Sequence, residues 1–209
     1  MKKMNFIKSL ILIFTVISLG ACKDAELNNS LNWDVQKFSF TDQNGKQFGS
    51  AELQDKIWVA DFFFTSCQTV CPPMTANMAK IQRMLNTDGI KDVEFVSFSV
   101  DPEIDTPEKI TEFMKVYEMD GNRTHFLTGY KRADIEKFAK ENFQSLVTKP
   151  ENDTQVIHGT SFYLIDKNGK VLKKYSGVEN TPYEEIVQDI KKIRLSQYLE
   201  ESESLLSFF

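Results

Sequence analysis

The sequence predicts an α/β domain with a central mixed sheet, helices flanking it, and a β-hairpin at its N-terminal side. Three observations predict this. Ile57 to Phe64, reading IWVADFFF, is a nearly unbroken apolar run rich in β-branched and aromatic residues, as a strand covered on both faces should be. Stretches of strand-like and helix-like periodicity alternate after it. Two Asn-Gly pairs, Asn44-Gly45 and Asn168-Gly169, sit between strand-like segments and signal tight hairpins.

The elements follow in order. Val35 to Phe40 alternates polar and apolar residues, and Asn44-Gly45 turns the chain back. After the central run, Met74, Met78, Ile81 and Leu85 recur at helical spacing within a helix predicted over 72–85. Val93 to Val100 reads as a strand. Thr106-Pro107-Glu108 supplies a cap, a proline at the first helical position and an acid in the first turn, opening a helix to about Glu118. Phe126 to Thr128 is a short strand and Ala133 to Phe143 a helix. Thr160 to Asp166 and Val171 to Tyr175 flank the second Asn-Gly turn. Thr181-Pro182 opens a last helix to about Leu195. Gln144 to Ile157 is polar, contains Pro150 and fits no element, and loops of that length are often functional. This order is that of the thioredoxin-like fold.

The chain has 209 residues, 41% hydrophobic and 26% charged, which suits one globular domain with appendages. Thirty acidic residues against 25 basic ones argue against a nucleic-acid partner. The appendages are at the ends. Lys2, Lys3 and Lys8 precede an uncharged stretch from Ser9 to Ala21. That stretch is well short of the about 20 residues a membrane-spanning helix needs, so it reads as a signal peptide. Leu19-Gly20-Ala21-Cys22 resembles a bacterial lipoprotein processing site, which would leave Cys22 as a diacylated N-terminus, enough for stable membrane anchoring. The expected organisation is a leader over 1–21, a lipidated tether over 22–33, the domain over 34–198 and a frayed tail over 199–209. The domain then lies in the cell envelope, outside the cytoplasm.

With Cys22 assigned to lipid, Cys67 and Cys71 remain of three cysteines. They lie where the buried strand ends and a helix begins, at the strand end that opens into the crevice in which α/β folds bind ligands. Unpaired N–H groups and the positive end of the helix favour thiolate there. Three readings stand for the pair: buried small hydrophobes, a redox dithiol, or two soft ligands for a metal. His158, just before a predicted buried strand, is either structural or a third ligand. Two thiolates with one imidazole suit Cu(I) and also support Cu(II), whereas zinc normally takes a fourth ligand. His125 has no partner pattern and reads as structural or exposed. Met74 and Met78, at helical spacing, read as core packing rather than soft ligands.

Three segments in this order carry a resemblance to a known family. They are Phe64-Thr65-Ser66-Cys67 through Cys71-Pro72-Pro73-Met74, then Ser99-Val100-Asp101-Pro102-Glu103-Ile104-Asp105-Thr106-Pro107, and then His158-Gly159-Thr160-Ser161-Phe162-Tyr163-Leu164-Ile165-Asp166. From Val35 to Leu195 the chain resembles the Sco (SenC) family of copper-delivery proteins for cytochrome c oxidase. The resemblance implies that Cys67, Cys71 and His158 bind copper. It also implies transfer of copper, or of electrons, to the CuA site of oxidase subunit II or a related copper protein, and that the segment before His158 is the excursion carrying the ligand. Thr160 stands where other thioredoxin-like disulfide exchangers place a cis-proline, which weakens a general disulfide-exchange reading. Asp101 and Asp105 read either as turn and cap residues or as a docking contact. The expected function is a copper metallochaperone. The alternative is a thiol–disulfide reductase that keeps the oxidase cysteines reduced, using Cys67 and Cys71 as its redox pair without His158. A thiol peroxidase is a third, weaker reading.

Overall fold

The computed structural model describes residue 27, residues 30–151 and residues 153–206. Cys22, the leader and the first part of the tether lie outside the described residues.

Strand β4 (Ile57–Phe63) is the axis of the molecule, and every residue in it is buried. It pairs in parallel with β5 (Val93–Ser99), from Ile57 opposite Val93 to Phe63 opposite Ser99. β5 pairs in parallel with β6 (Thr124–Leu127). On its other side β4 runs antiparallel to β9 (Ser161–Ile165), which turns back into β10 (Lys170–Ser176). β1 (Trp33–Asp34) closes that edge, giving the order β1-β10-β9-β4-β5-β6. The sheet is mixed, as the sequence predicts.

β2 (Ser39–Thr41) and β3 (Gln47–Gly49) form the N-terminal hairpin as a separate two-stranded sheet. Both Asn-Gly turns are built alike. Asp42 Oδ1 accepts the N–H groups of Asn44 and Lys46, each at 2.8 Å, and Gly45 has φ +73°. Asp166 Oδ1 does the same for Asn168 at 2.9 Å and Lys170 at 2.8 Å, with Gly169 at φ +78°. A positive φ costs glycine little, which is why these two positions turn the chain.

Two apolar clusters bracket the sheet. Helix α1 (Cys71–Thr87) buries Met74, Met78, Ile81 and Leu85 with Val59, Phe95 and Leu164, and joins Ile186, Ile190 and Ile193 of α4 (Tyr183–Leu206). The two methionines are core residues, as their spacing predicts. Trp58, Ala60, Phe62 and Phe98 pack instead against Phe38 of the hairpin region and Ile135 and Phe138 of α3 (Arg132–Phe143). Helix α2 (Pro107–Met114) packs near the carboxyl end of the sheet, where Phe113 tilts against Phe63 and Phe126. Among the described residues no helix is long and apolar enough to cross a membrane.

Several boundaries differ from the sequence expectation. The alternating stretch Val35 to Phe40 is not one strand: β1 ends at Asp34 and β2 begins at Ser39. Helix α2 stops at Met114 rather than near Glu118, because Glu118 takes a left-handed φ of +51° ahead of the turn-forming Asp120-Gly121-Asn122. Helix α4 continues past Leu195 to Leu206, so residues 199–206 of the expected frayed tail are helical. No Pro or Gly falls within that helix to end it, and it is 24 residues long. The polar segment before His158 holds a small ladder, β7 (Val147–Thr148) with β8 (Ile157–His158). Strands of two residues carry no readable period, so this ladder is invisible in the sequence.

Candidate metal centre

The chain leaves β4 through Phe64-Thr65-Ser66-Cys67 and enters α1 at Cys71, with prolines in the first turn. A helix start leaves its first N–H groups without intrahelical partners. Pro72 and Pro73 have none to satisfy. Cys71 N–H is therefore the donor that needs a partner, and it finds the Cys67 sulfur at 3.3 Å. Val70, at the cap position, offers no side-chain cap. The first thiol thus caps the helix that begins with the second.

The β7–β8 ladder brings His158 over the same point. Its Nε2 lies 3.3 Å from the Cys71 sulfur, and its Nδ1 lies 2.9 Å from the Gly159 carbonyl. A carbonyl only accepts, so Nδ1 carries the ring proton and Nε2 turns its lone pair toward the thiols. The Phe64 ring stands edge-on to the imidazole, 5.8 Å between centroids. The Cys67, Cys71 and His158 donor atoms all lie within 4.8 Å of one another. Cys71 is fully buried; Cys67 and His158 keep 8% and 9% exposure, so the site meets solvent along one rim.

The two thiols differ. The hydrogen bond with Cys71 pulls the Cys67 thiol down to about 3 against the cost of burial, helped by the adjacent His158 imidazole and by the N–H groups of Cys71 and Thr69. Burial pushes the Cys71 thiol far up, and the neighbouring Cys67 charge adds to it. One proton is shared by the pair, with Cys67 the more acidic of the two.

Two groups near the site were not singled out by sequence reasoning. Asp61, midway along β4, is wholly buried, with one oxygen that finds no partner among the described residues. Burial raises its pKa to about 7, opposed by a hydrogen bond from Ser97 and the charge of His158. Its signal was present, since it is the lone charge in IWVADFFF. Burial also raises the Tyr117 phenol, and the charges of Cys71 and Cys67 add to that shift. Nothing in the sequence pattern links Tyr117 to the thiols. His125 is structural: it stacks on Phe48 at 3.6 Å, and its Nε2 meets Glu94 at 3.1 Å. Asp101 and Asp105 are buried, which excludes the docking reading for their side chains.

The fold and the trio define a thioredoxin-like protein in which a dithiol at a helix start faces an imidazole from a separate ladder. More narrowly, the chain belongs to the SCO1/SenC family, whose model matches residues 30–194. Several solved structures are similar to it, among them these three. A SCO1/SenC family lipoprotein from Bacillus anthracis str. Ames is 60% identical, with a TM-score of 0.78 over 80% of this chain and 99% of the other. BsSco, described as a member of the Sco family of cytochrome c oxidase assembly proteins with a disulfide switch, is 48% identical. Its TM-score is 0.73 over 78% of this chain and 95% of its own. ScoI of Bradyrhizobium japonicum, solved with copper bound, is 26% identical, with a TM-score of 0.64 over 77% and 99%.

Proposed function

We propose that this chain is a membrane-anchored copper chaperone. It takes one copper ion as cargo on Cys67, Cys71 and His158 and passes it to the CuA site of cytochrome c oxidase subunit II or a related copper protein. The observation that carries the reading is the convergence of two thiols and an imidazole with their donor atoms within 4.8 Å. This soft donor set fits copper, and a structural zinc site would normally hold a fourth protein ligand. The copper bound to the Bradyrhizobium japonicum protein and the oxidase-assembly role given for BsSco support it. Leu19-Gly20-Ala21-Cys22 and the lipoprotein character of the Bacillus anthracis relative support a diacyl anchor on Cys22, with the domain outside the cytoplasm.

The residues divide the work. Cys67 is already a thiolate and lies on the rim, where cargo arrives. Cys71 surrenders its proton as the ion binds. His158 offers a neutral Nε2 held in place by the Gly159 carbonyl. Three protein donors leave room for an acceptor's ligand to enter, so the ion can move through shared coordination. Oxidising the pair to a disulfide, with two electrons and the single thiol proton passing to a thiol oxidant, removes both thiolate donors and so ends binding.

The unequal thiols favour one further reading, a thiol–disulfide reductase. The Cys67 thiolate would attack an oxidised partner and expel one partner thiolate. Cys71, deprotonated, would then displace the second, leaving the Cys67–Cys71 disulfide and a reduced partner. The test is copper titration of residues 23–209 against a competing chelator, in wild type, Cys67→Ser, Cys71→Ser and His158→Ala. The chaperone reading requires tight binding by wild type and loss in all three variants. Copper binding by His158→Ala equal to wild type refutes it. Efficient disulfide reduction by metal-free His158→Ala favours the reductase.

A further inference from the structure

The loop leaving β5 touches both segments that carry the donors. Asp105 Oδ1 accepts the Thr65 hydroxyl at 2.6 Å and the Thr65 N–H at 3.1 Å. Its Oδ2 accepts the Ser99 hydroxyl at 2.6 Å. Ser99 Oγ in turn accepts the Asp101 N–H at 3.2 Å. The Asp101 carboxylate takes Lys149 Nζ at 2.8 and 3.1 Å and the Arg132 guanidinium at 2.7 Å; Glu103 also pairs with Arg132. Both ends of this chain of bonds matter. Thr65 stands two residues before Cys67. Lys149 directly follows β7, in which Val147 is the register partner of His158. An unbroken path of charge-assisted and hydroxyl hydrogen bonds therefore links the Cys67 loop to the His158 ladder.

The ladder needs such a tie. It is two residues long on each side, and an isolated pair of strands is marginal in water. Apart from the imidazole itself, the segment between its strands reaches the Cys67 loop through Gln155 Nε2, which donates to the Ser66 carbonyl at 3.3 Å in an exposed position. The path through Asp101 and Asp105 is better shielded: both residues are 1% exposed, and the Thr65 and Lys149 groups they hold are partly buried, where hydrogen bonds and ion pairs hold geometry more firmly than at the open surface. Both anchor points lie on the rigid end of β5 and the loop after it, Ser99 being the residue paired with Phe63.

We propose that Asp101 and Asp105 are positioning residues that fix the Cys67 loop and the His158 ladder to one strut, and so set the separation between sulfur and imidazole. The proposal rests on the reading of Cys67, Cys71 and His158 as a copper site. Lys149 is the arm through which Asp101 acts on His158, and Thr65 the arm through which Asp105 acts on Cys67.

The test uses the full chain in detergent, with Lys149→Met and Lys149→Arg. Copper(I) affinity is measured against a chelator in wild type and in His158→Ala. Lys149→Met should weaken binding about 10-fold, the low end for loss of a group that orients a metal ligand. Lys149→Arg should restore most of it. In the His158→Ala background Lys149→Met should change nothing further, because the ligand it positions is gone. A loss of the same size in both backgrounds overturns the proposal, since general destabilisation would produce it; wild-type affinity in Lys149→Met overturns it too. A metal-free readout separates the proposal from the copper reading. The Gly159 amide, bonded to the Leu146 carbonyl, should exchange with deuterium faster in Lys149→Met while the β4 amides stay protected. If wild type binds no copper the metal reading fails alone, and unchanged Gly159 protection then overturns the tie.

Discussion

The sulfur of Cys71 lies 3.3 Å from Nε2 of His158, although 87 positions separate them in the chain. Each reaches the other for a different reason. Cys71 is fixed by the helix start that follows the central strand, and His158 by a ladder tied to a neighbouring loop. The ring cannot turn away without breaking Nδ1–H to the Gly159 carbonyl. The contact therefore joins two separately built elements, and perturbing either should be read out at the site.

The first prediction concerns the thiols. Because Cys67 is pulled down to about 3 and Cys71 is pushed up, a metal-free, reduced sample should hold one thiolate across neutral and mildly acid pH. Absorbance near 240 nm should show that single thiolate persisting to about pH 4, with the rest appearing only in strong alkali. Cys67→Ser should abolish the low-pH band. A wild-type band that vanishes below pH 8 would contradict the pairing.

The second prediction concerns Gly159. A Cβ added there would sit 2.4 Å from Ser145 Oγ, closer than a side chain tolerates. Gly159→Ala should therefore lower stability by about 1–3 kcal/mol in urea and displace His158, weakening copper binding. Ser145→Ala removes the crowding oxygen, so the double variant should recover most of both losses. A double variant no better than Gly159→Ala alone would show that the strain lies elsewhere.

What the sequence made legible was local. IWVADFFF announced β4, paired Asp and Asn-Gly residues announced both hairpins, and Thr106-Pro107 announced α2. Cys67 and Cys71 were legible as chemistry because prolines and a strand end framed them. His158 was not separable from a structural histidine by its neighbours alone; only its likeness to a known pattern raised it. The β7–β8 ladder was hidden because two-residue strands have no period. The role of Asp101 was hidden because its partners, Arg132 and Lys149, are distant in the chain and are brought near only by the fold. Asp61 was readable as an anomaly, but what it faces was not.

The third prediction tests a structural knot away from the thiols. Arg123 is buried, and its guanidinium reaches Asp120 at 3.1 Å, the carbonyls of Ile90 and Val93 at 3.4 Å each, and Asn86. Removing it leaves buried acceptors and a carboxylate without their donor. Arg123→Met should cost about 3 kcal/mol in urea unfolding while the 240 nm thiolate band of the folded protein stays as in wild type. Loss of that band in the folded variant would tie Arg123 to the site.

The fourth prediction concerns Asp61, a buried carboxyl that is hydrogen-bonded by Ser97 and electrostatically coupled to His158 and Cys71. Burial raises its pKa from 3.8 to about 7, so the sign runs against the usual carboxylate. Between those values the unfolded chain has lost the proton that the folded chain keeps. Stability therefore falls as pH rises from about 4 to about 7, and the full cost, about 4 kcal/mol, is present above that. Asp61→Asn cannot titrate, so its stability relative to wild type should be greater by about 3 kcal/mol at pH 8 than at pH 5, whatever the amide itself costs. Urea titrations of reduced, metal-free protein at the two pH values give the comparison, and the remaining titrating groups are common to both chains. Parallel pH profiles for wild type and Asp61→Asn would mean that Asp61 ionises normally in the fold. A steeper wild-type decline would mean that the domain holds a buried carboxyl about half protonated at neutral pH, at a cost to its own stability.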